Sequence, residues 1–144
     1  MLKKYPFYQV ETIDNLKELV NYVAEKYGDN PAFTFERNAE IVSISYRQFK
    51  SDVAALGTAL FDLNVHNTKI AVIGENSYEW ILTYFAIVNS GNVVVPLDKE
   101  LPAAEIKALL DDAGAEVLVH SDGFDHVAAY LNENEAGILH YVSM

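Results

Sequence analysis

The sequence predicts an α/β fold: a doubly wound, mostly parallel sheet with a βαβαβ core, preceded by an amino-terminal helix and a β-hairpin. Three observations carry this expectation. Short continuous apolar runs recur at residues 70–73, 93–95 and 117–119, each bounded by Gly, Pro or polar residues. Runs that short, without alternation, read as strands buried on both faces. Segments with apolar residues at helical spacing separate the runs, as a parallel sheet with crossover helices requires. Earlier in the chain, two segments alternate apolar and polar residues instead, the pattern of a half-buried antiparallel pair.

Each element is read in order. Residues 1–11 show no periodicity and carry Pro6, so they read as an extended lead-in. Thr12 or Asp14 is expected to cap a helix with Ile13, Leu16, Val20, Val23 and Tyr27 on one face, closed by Gly28. Phe33 and Phe35 alternate with Thr34 and Glu36. Asn38-Ala39 supplies a turn, and Ile41, Val42 and Ile44 form the returning strand, with some freedom of register. Ser45-x-x-Gln48 has the form of a capping box. It opens a long helix with Phe49, Val53, Leu56, Leu60 and Leu63 inward.

Residues 69–102 organise the rest. The run Ile70-Ala71-Val72-Ile73 ends at Gly74, and Gly74-Glu75-Asn76-Ser77 makes a tight turn into a helix. Asn76 with Glu79 three residues on resembles a capping box. Trp80, Ile81, Tyr84, Phe85 and Val88 give one apolar face, and Gly91 closes the helix. Val93-Val94-Val95 is a second buried strand, stopped by Pro96. Pro102 then suits the first turn of a helix with Ile106, Leu109, Leu110 and Ala113 inward, ended by Gly114. Val117-Leu118-Val119 is the third buried strand. Ser121 or Asp122 caps a further helix bearing Phe124, Val127, Ala128 and Leu131, and residues 138–142 suggest a last strand.

Composition narrows the function. At 144 residues and 51% hydrophobic, the chain is long and apolar enough for one compact core. With no Cys it forms no disulfide or thiolate metal site, which fits a reducing cytoplasm. A net charge of −11 argues against nucleic acid and anionic membrane surfaces as partners. No secretory signal is visible, and no apolar stretch approaches the ~20 residues of a membrane span.

Several clusters invite a chemical reading. The turn Gly74-Glu75-Asn76-Ser77 sits at the carboxyl end of a parallel strand, where such sheets bind ligands. It lacks the further glycines of a dinucleotide fingerprint and the Gly-Lys-Ser/Thr of a phosphate loop, so an ordinary capped turn is the preferred reading. Asp98-Lys99-Glu100 and Lys107 read as a solvated region rather than a phosphate site, since two carboxylates flank the lysine. His120 and His126, with Asp122 and Asp125, can be drawn as metal ligands, but nothing in the spacing makes them face one another. His66 and His140 stand alone. Trp80, Tyr84 and Phe85 fit a core stripe better than an aromatic ligand box. Asp111-Asp112 ends a helix without further support for an acid–base pair, and no Ser-His-Asp arrangement stands in a credible context. No residue is therefore assigned a catalytic, cofactor-binding or metal-binding role.

The phrases IAVIGENSYEW, FAIVNSG and VVVPLDKELP, followed by EIKALLDDAGAEVLV, resemble the amino-terminal part of the adenylate-forming enzymes. These are the AMP-forming acid–CoA ligases, luciferases and peptide-synthetase adenylation domains. The order of elements agrees too: a hairpin ending in Ile44-Ser45-Tyr46, a long helix, then the first buried strand. The resemblance runs from about residue 12 to about residue 121. It implies that the chain is a partial domain, the amino-terminal portion of the large domain of such an enzyme. The parent would join a carboxylic acid to CoA through an acyl-AMP, using ATP, Mg²⁺ and CoA; the wording VNSGNVVVPLDKELP looks closest to long-chain fatty acid ligases. The family's Ser/Thr/Gly-rich phosphate loop ending in Lys does not occur here. The fragment alone is thus expected to bind no cofactor, to form no acyl-AMP, and to self-associate through surface that the rest of the enzyme would cover. A stand-alone ligand- or partner-binding domain is the alternative. A receiver-like regulatory domain ranks last, for want of an acidic pocket at a strand end.

Overall fold

The computed structural model describes residues 11–144; the expected lead-in falls almost entirely outside them. Helix α1 (Leu16–Tyr27) is capped by Asn15, whose side chain accepts from the Glu18 N–H at 2.8 Å. Glu18 returns a bond to the Asp14 N–H at 2.9 Å. Thr12 and Asp14 are therefore not the cap: Asn15 alone places its oxygen over the third helical N–H. Val20 and Ala24 are buried, while Leu16 and Tyr27, expected inward, are exposed.

Strands β1 (Pro31–Arg37) and β2 (Glu40–Ser45) form the hairpin, a two-stranded sheet of its own. Phe33 pairs with Ile44 and Phe35 with Val42, which resolves the register. Asn38 and Ala39 both take positive φ, +53° and +62°. Two such residues make the turn whose twist matches that of the strands. Helix α2 (Tyr46–Asp62) starts at Ser45, which accepts from the Gln48 N–H at 3.1 Å. The Gln48 side chain does not return the bond; it donates to Asp52 at 2.7 Å, so half of the capping box is realised. Phe49, Val53 and Leu60 are buried, but Leu63 lies past the last turn and is exposed.

The main sheet contains β3 (Lys69–Ile73), β4 (Val93–Pro96), β5 (Val117–His120) and β6 (His140–Ser143), all parallel, in the order β4-β3-β5-β6. One face packs on α4 (Ala103–Ala113) and α5 (Asp125–Glu133): Ala71, Ile73 and Leu118 meet Ile106, Leu110, Val127 and Leu131. The other packs on α2 and α3 (Tyr78–Asn89), where Ile70, Val72, Val117 and Val119 meet Leu60 and Ile87. Helices on both faces make the sheet doubly wound, as the apolar runs predicted. The central strands β3 and β5 are buried almost throughout. Strand β4 is not a buried strand; it lies at an edge, and Val93 is exposed.

Helix α3 corrects two further expectations. Its cap is Ser77, accepting from the Trp80 N–H at 3.1 Å, not Asn76. Its apolar residues do not form one stripe. Trp80 packs toward the sheet, while Tyr78, Ile81, Leu82 and Phe85 pack on the cluster of Val20, Phe49 and Val53. The most buried positions are Thr83, Ala86 and Ile87. On α4, Ile106 and Leu110 are buried but Leu109 is exposed. Ser77→Ala removes the side-chain acceptor at the start of α3. We expect it to cost about 1 kcal/mol in urea denaturation, read through Trp80, the single tryptophan.

Candidate functional site

Sheet order defines the site. From β3 the chain winds to β4, then crosses back over β3 to β5 and on to β6. The direction of winding reverses between β3 and β5, and a crevice opens there at the carboxyl ends of the strands. The turn Gly74-Glu75-Asn76-Ser77 leaves β3 on one side, and Ser121 and a 3₁₀ turn, Asp122–Phe124, leave β5 on the other.

The two loops touch. The Ser121 N–H donates to the Ile73 carbonyl at 3.2 Å, and the Ser121 hydroxyl donates to Glu75 Oε2. Gly74 is buried where a Cβ would stand 3.1 Å from Ser121 Oγ and 3.2 Å from Met144 Cε. A Cβ on Gly123 would lie 2.7 Å from Glu75 Oε1. Glycine at 123 thus leaves room for the Glu75 carboxylate across the crevice, and glycine at 74 leaves room for Ser121 and Met144. Asp122 Oδ1 accepts from the Ser143 hydroxyl at 2.9 Å, tying the mouth to β6.

This contact has an electrostatic consequence. The Ser121 hydroxyl, with help from the backbone N–H of Glu75 and the charge of Lys99, holds the Glu75 carboxyl below its ordinary range. A depressed carboxylate adds stability that is present above the ordinary carboxylate pKa and is lost as pH falls through the folded value. We expect Ser121→Ala to raise the Glu75 titration midpoint toward normal, read by carboxyl ¹³C NMR. An unmoved midpoint would show that the hydroxyl bond does not set it.

The other candidates separate. Lys99 lies near enough for its charge to bear on Glu75. Asp98 closes a local turn by accepting from the Glu100 N–H at 2.9 Å, and Lys107 pairs with Asp111 one helical turn away at 2.6 Å. His120 is buried, with Nδ1 3.4 Å from Asp125 and 3.2 Å from the Ser121 carbonyl oxygen. Its neighbour's hydroxyl goes to Glu75 rather than to the imidazole, so Ser121, His120 and Asp125 are no nucleophile–base relay. His126 is exposed and stacks on Phe124. Among the described residues no group of three His, Asp or Glu side chains is placed to hold a metal ion. His66 bonds the Asn64 carbonyl, and His140 is exposed on β6. Trp80 and Tyr84 stack on each other, while Phe85 packs edge-on to Phe49, in keeping with packing roles.

The sequence pattern marked residues 74–77 and Ser121 separately; that they meet depends on β3 and β5 being neighbours. A smaller hollow of about 220 Å³ adjoins the crevice, lined by Phe33, Phe35, Ser77, Tyr78 and Ile81. A further cavity, of about 390 Å³, lies at the opposite end of the sheet, between α1 and α2. We place the candidate site at the crevice, because there the topology brings polar groups together.

Comparison with known proteins agrees with this architecture. Tyrocidine synthase 1 of Brevibacillus parabrevis is 27% identical across 84% of the chain, and the match spans 12% of that protein. The crotonobetaine/carnitine–CoA ligase of Salmonella paratyphi A is 24% identical across 90% of the chain, and the match spans 26% of that protein. The chain thus corresponds to a small part of the curated relatives it matches. Among solved structures, a Mycobacterium tuberculosis fatty acyl CoA synthetase superposes with a TM-score of 0.82 at 18% identity, over 90% of this chain and 26% of that one. No helix among the described residues is long and apolar enough to cross a membrane. The sequence profile described as AMP-binding enzyme matches residues 20–142. With that match running from α1 to β6, across the whole switch-point crevice, the chain belongs to the AMP-binding enzyme family.

Proposed function

We propose that the chain is the amino-terminal portion of the large domain of an acid-activating ligase. The whole enzyme joins a carboxylic acid, a fatty acid in the first instance, to CoA. ATP and the acid give acyl-AMP and pyrophosphate, and the CoA thiol displaces AMP. Such a reaction draws on ATP and CoA and belongs in the cytoplasm, in fatty acid metabolism. The observation that carries this reading is the family match over residues 20–142. Several relatives are peptide synthases. They favour a second reading, in which the acid is an amino acid and the acceptor a carrier-protein thiol.

The described residues at the crevice offer little to a triphosphate. Glu75 lies across the crevice, and Lys99 is the cation whose charge reaches it. Phosphate, Mg²⁺ and CoA contacts are therefore assigned to the remainder of the enzyme. In-line transfer needs cations over the developing charge, and the chain has 10 basic residues against 21 acidic ones.

The test is pyrophosphate exchange with ATP, Mg²⁺ and a panel of fatty, aromatic and amino acids. We expect no exchange by the 144-residue chain and acid-dependent exchange by the full protein. Exchange only with amino acids would replace the CoA-ligase reading by the second. Silence of the full protein on every acid would remove both and leave a non-catalytic binding domain. We further propose that the isolated chain self-associates through its open sheet edges, β4 and β6. Light scattering at roughly tens of micromolar checks this; a monomer at that concentration would sink it.

A further inference from the structure

The cavity between α1 and α2 has a composition unlike the rest of the chain. The protein carries 21 acidic residues and 10 basic ones, yet this lining contains Lys17 and Lys50 and no carboxylate. Val20 and Val53 form a buried floor, Ala54 lines one wall, and Phe61 stands largely exposed at the rim. Of the neutral polar lining groups, Thr58 bonds the Ala54 carbonyl, Asn89 the Phe85 carbonyl and Ser90 the Ile87 carbonyl, and Asn21 also faces the groove. Lys17 and Lys50 have no ion pair among the described residues. Gly57 adds no side chain to the groove. The volume, about 390 Å³, falls within the range of small-molecule pockets.

We propose that this groove binds an aliphatic carboxylate, with its tail along Val20, Val53 and Phe61 and its head group on Lys17 and Lys50. The apolar floor supplies affinity through buried area. The two ammonium groups supply the preference for an anion; no carboxylate lines this groove, while Lys50 shares an adjoining hollow with Glu25 and Arg47. The groove lies at the amino-terminal end of the sheet, beside Val65 and Ser90, and so on the far side from the switch-point crevice. It is independent of the proposed ligase activity.

The test titrates the 144-residue chain with decanoate below its micellar range, by ¹H–¹⁵N NMR and calorimetry. Saturable binding is expected, with shifts confined to α1, α2 and the end of α3. Lys17→Gln with Lys50→Gln should weaken it by about tenfold or more, the loss of 1.4 kcal/mol or more. Ala54→Trp, at an exposed position, should abolish it with an unchanged circular dichroism spectrum and Tm. Glu75→Gln should bind as the parent chain does, and decyltrimethylammonium should not compete. The proposal is overturned by unsaturable titration, by shifts outside the groove, by equal binding in the lysine or tryptophan variants, or by equal binding of the cationic amphiphile. Partition onto phosphatidylglycerol vesicles without binding of free decanoate would also overturn it, since a lipid surface would then be the ligand.

Discussion

Leu118→Ala is expected to lower the stability of the chain by about 2–5 kcal/mol, the range for a buried leucine whose site cannot collapse. Leu118 lies in the middle of β5, fully buried, and packs with Ile73, Ile106, Leu110 and Leu131. Its strand is paired on both sides: Leu118 is level with Ala71 of β3 and Tyr141 of β6. Neither neighbouring strand can move in to fill the space without breaking a ladder, so most of the cavity should persist. Domains of this size are stable by only about 5–15 kcal/mol, and the loss takes a large share of that. Leu109→Ala on α4 is the matched control. Leu109 is 46% exposed, and its loss should cost well under half as much. Urea denaturation followed by Trp80 fluorescence reads both. Equal losses would mean that the two leucines are equally buried in solution and that the facing of α4 is wrong.

That pair also shows what the pattern of residues can and cannot reveal. Leu109 and Leu110 stand side by side in an apolar segment, and helical spacing admits both to the inner face. The choice between them depends on where α5 and the sheet stop covering α4, which is a tertiary fact. The run of valines at residues 93–95 is the same case in a strand. Its composition is that of a central strand, yet β4 lies at an edge, because no local pattern encodes the order β4-β3-β5-β6. Elements themselves were legible, since each was fixed by local physics: a period, a cap or a positive-φ glycine such as Gly114. Cap identity was less so wherever several competent residues adjoin, as with Thr12, Asp14 and Asn15 or with Asn76 and Ser77. The crevice was half legible. Gly74 and Ser121 each stand out as strand-ending residues, but the bond from Ser121 to Glu75 joins positions 46 apart, and only strand adjacency brings them together.

Tyr78→Ala is the other large effect expected, at about 2–4 kcal/mol, somewhat below the loss for a fully buried aromatic residue because the ring is only part-buried. Tyr78 is the first residue of α3, and it joins the hairpin layer to the helices. Its ring stacks on Phe35 and meets Phe33 and Phe49 edge-on, with centroids 5.4–6.3 Å apart. Aromatic pairs in such arrangements contribute beyond their buried area. Its hydroxyl donates to Asp52 of α2 at 2.5 Å, and Gln48 holds the other oxygen of that carboxylate. Tyr78→Phe separates the two contributions: it keeps the ring contacts and removes the hydrogen bond, and should cost about 1.5–3 kcal/mol, as for a bond to a charged acceptor. Burial first, then the bond to Asp52 and its charge, push the Tyr78 phenol well above its ordinary value. The folded state therefore keeps a proton that the unfolded chain releases near pH 10. Stability from this group is complete below that pH and falls as pH rises further. The parent chain should lose stability between about pH 9.5 and 11 more steeply than Tyr78→Phe does, a window set by the ordinary tyrosine value. Parallel curves for the two proteins in that window would show that neither burial nor the bond to Asp52 raises the phenol in the folded chain.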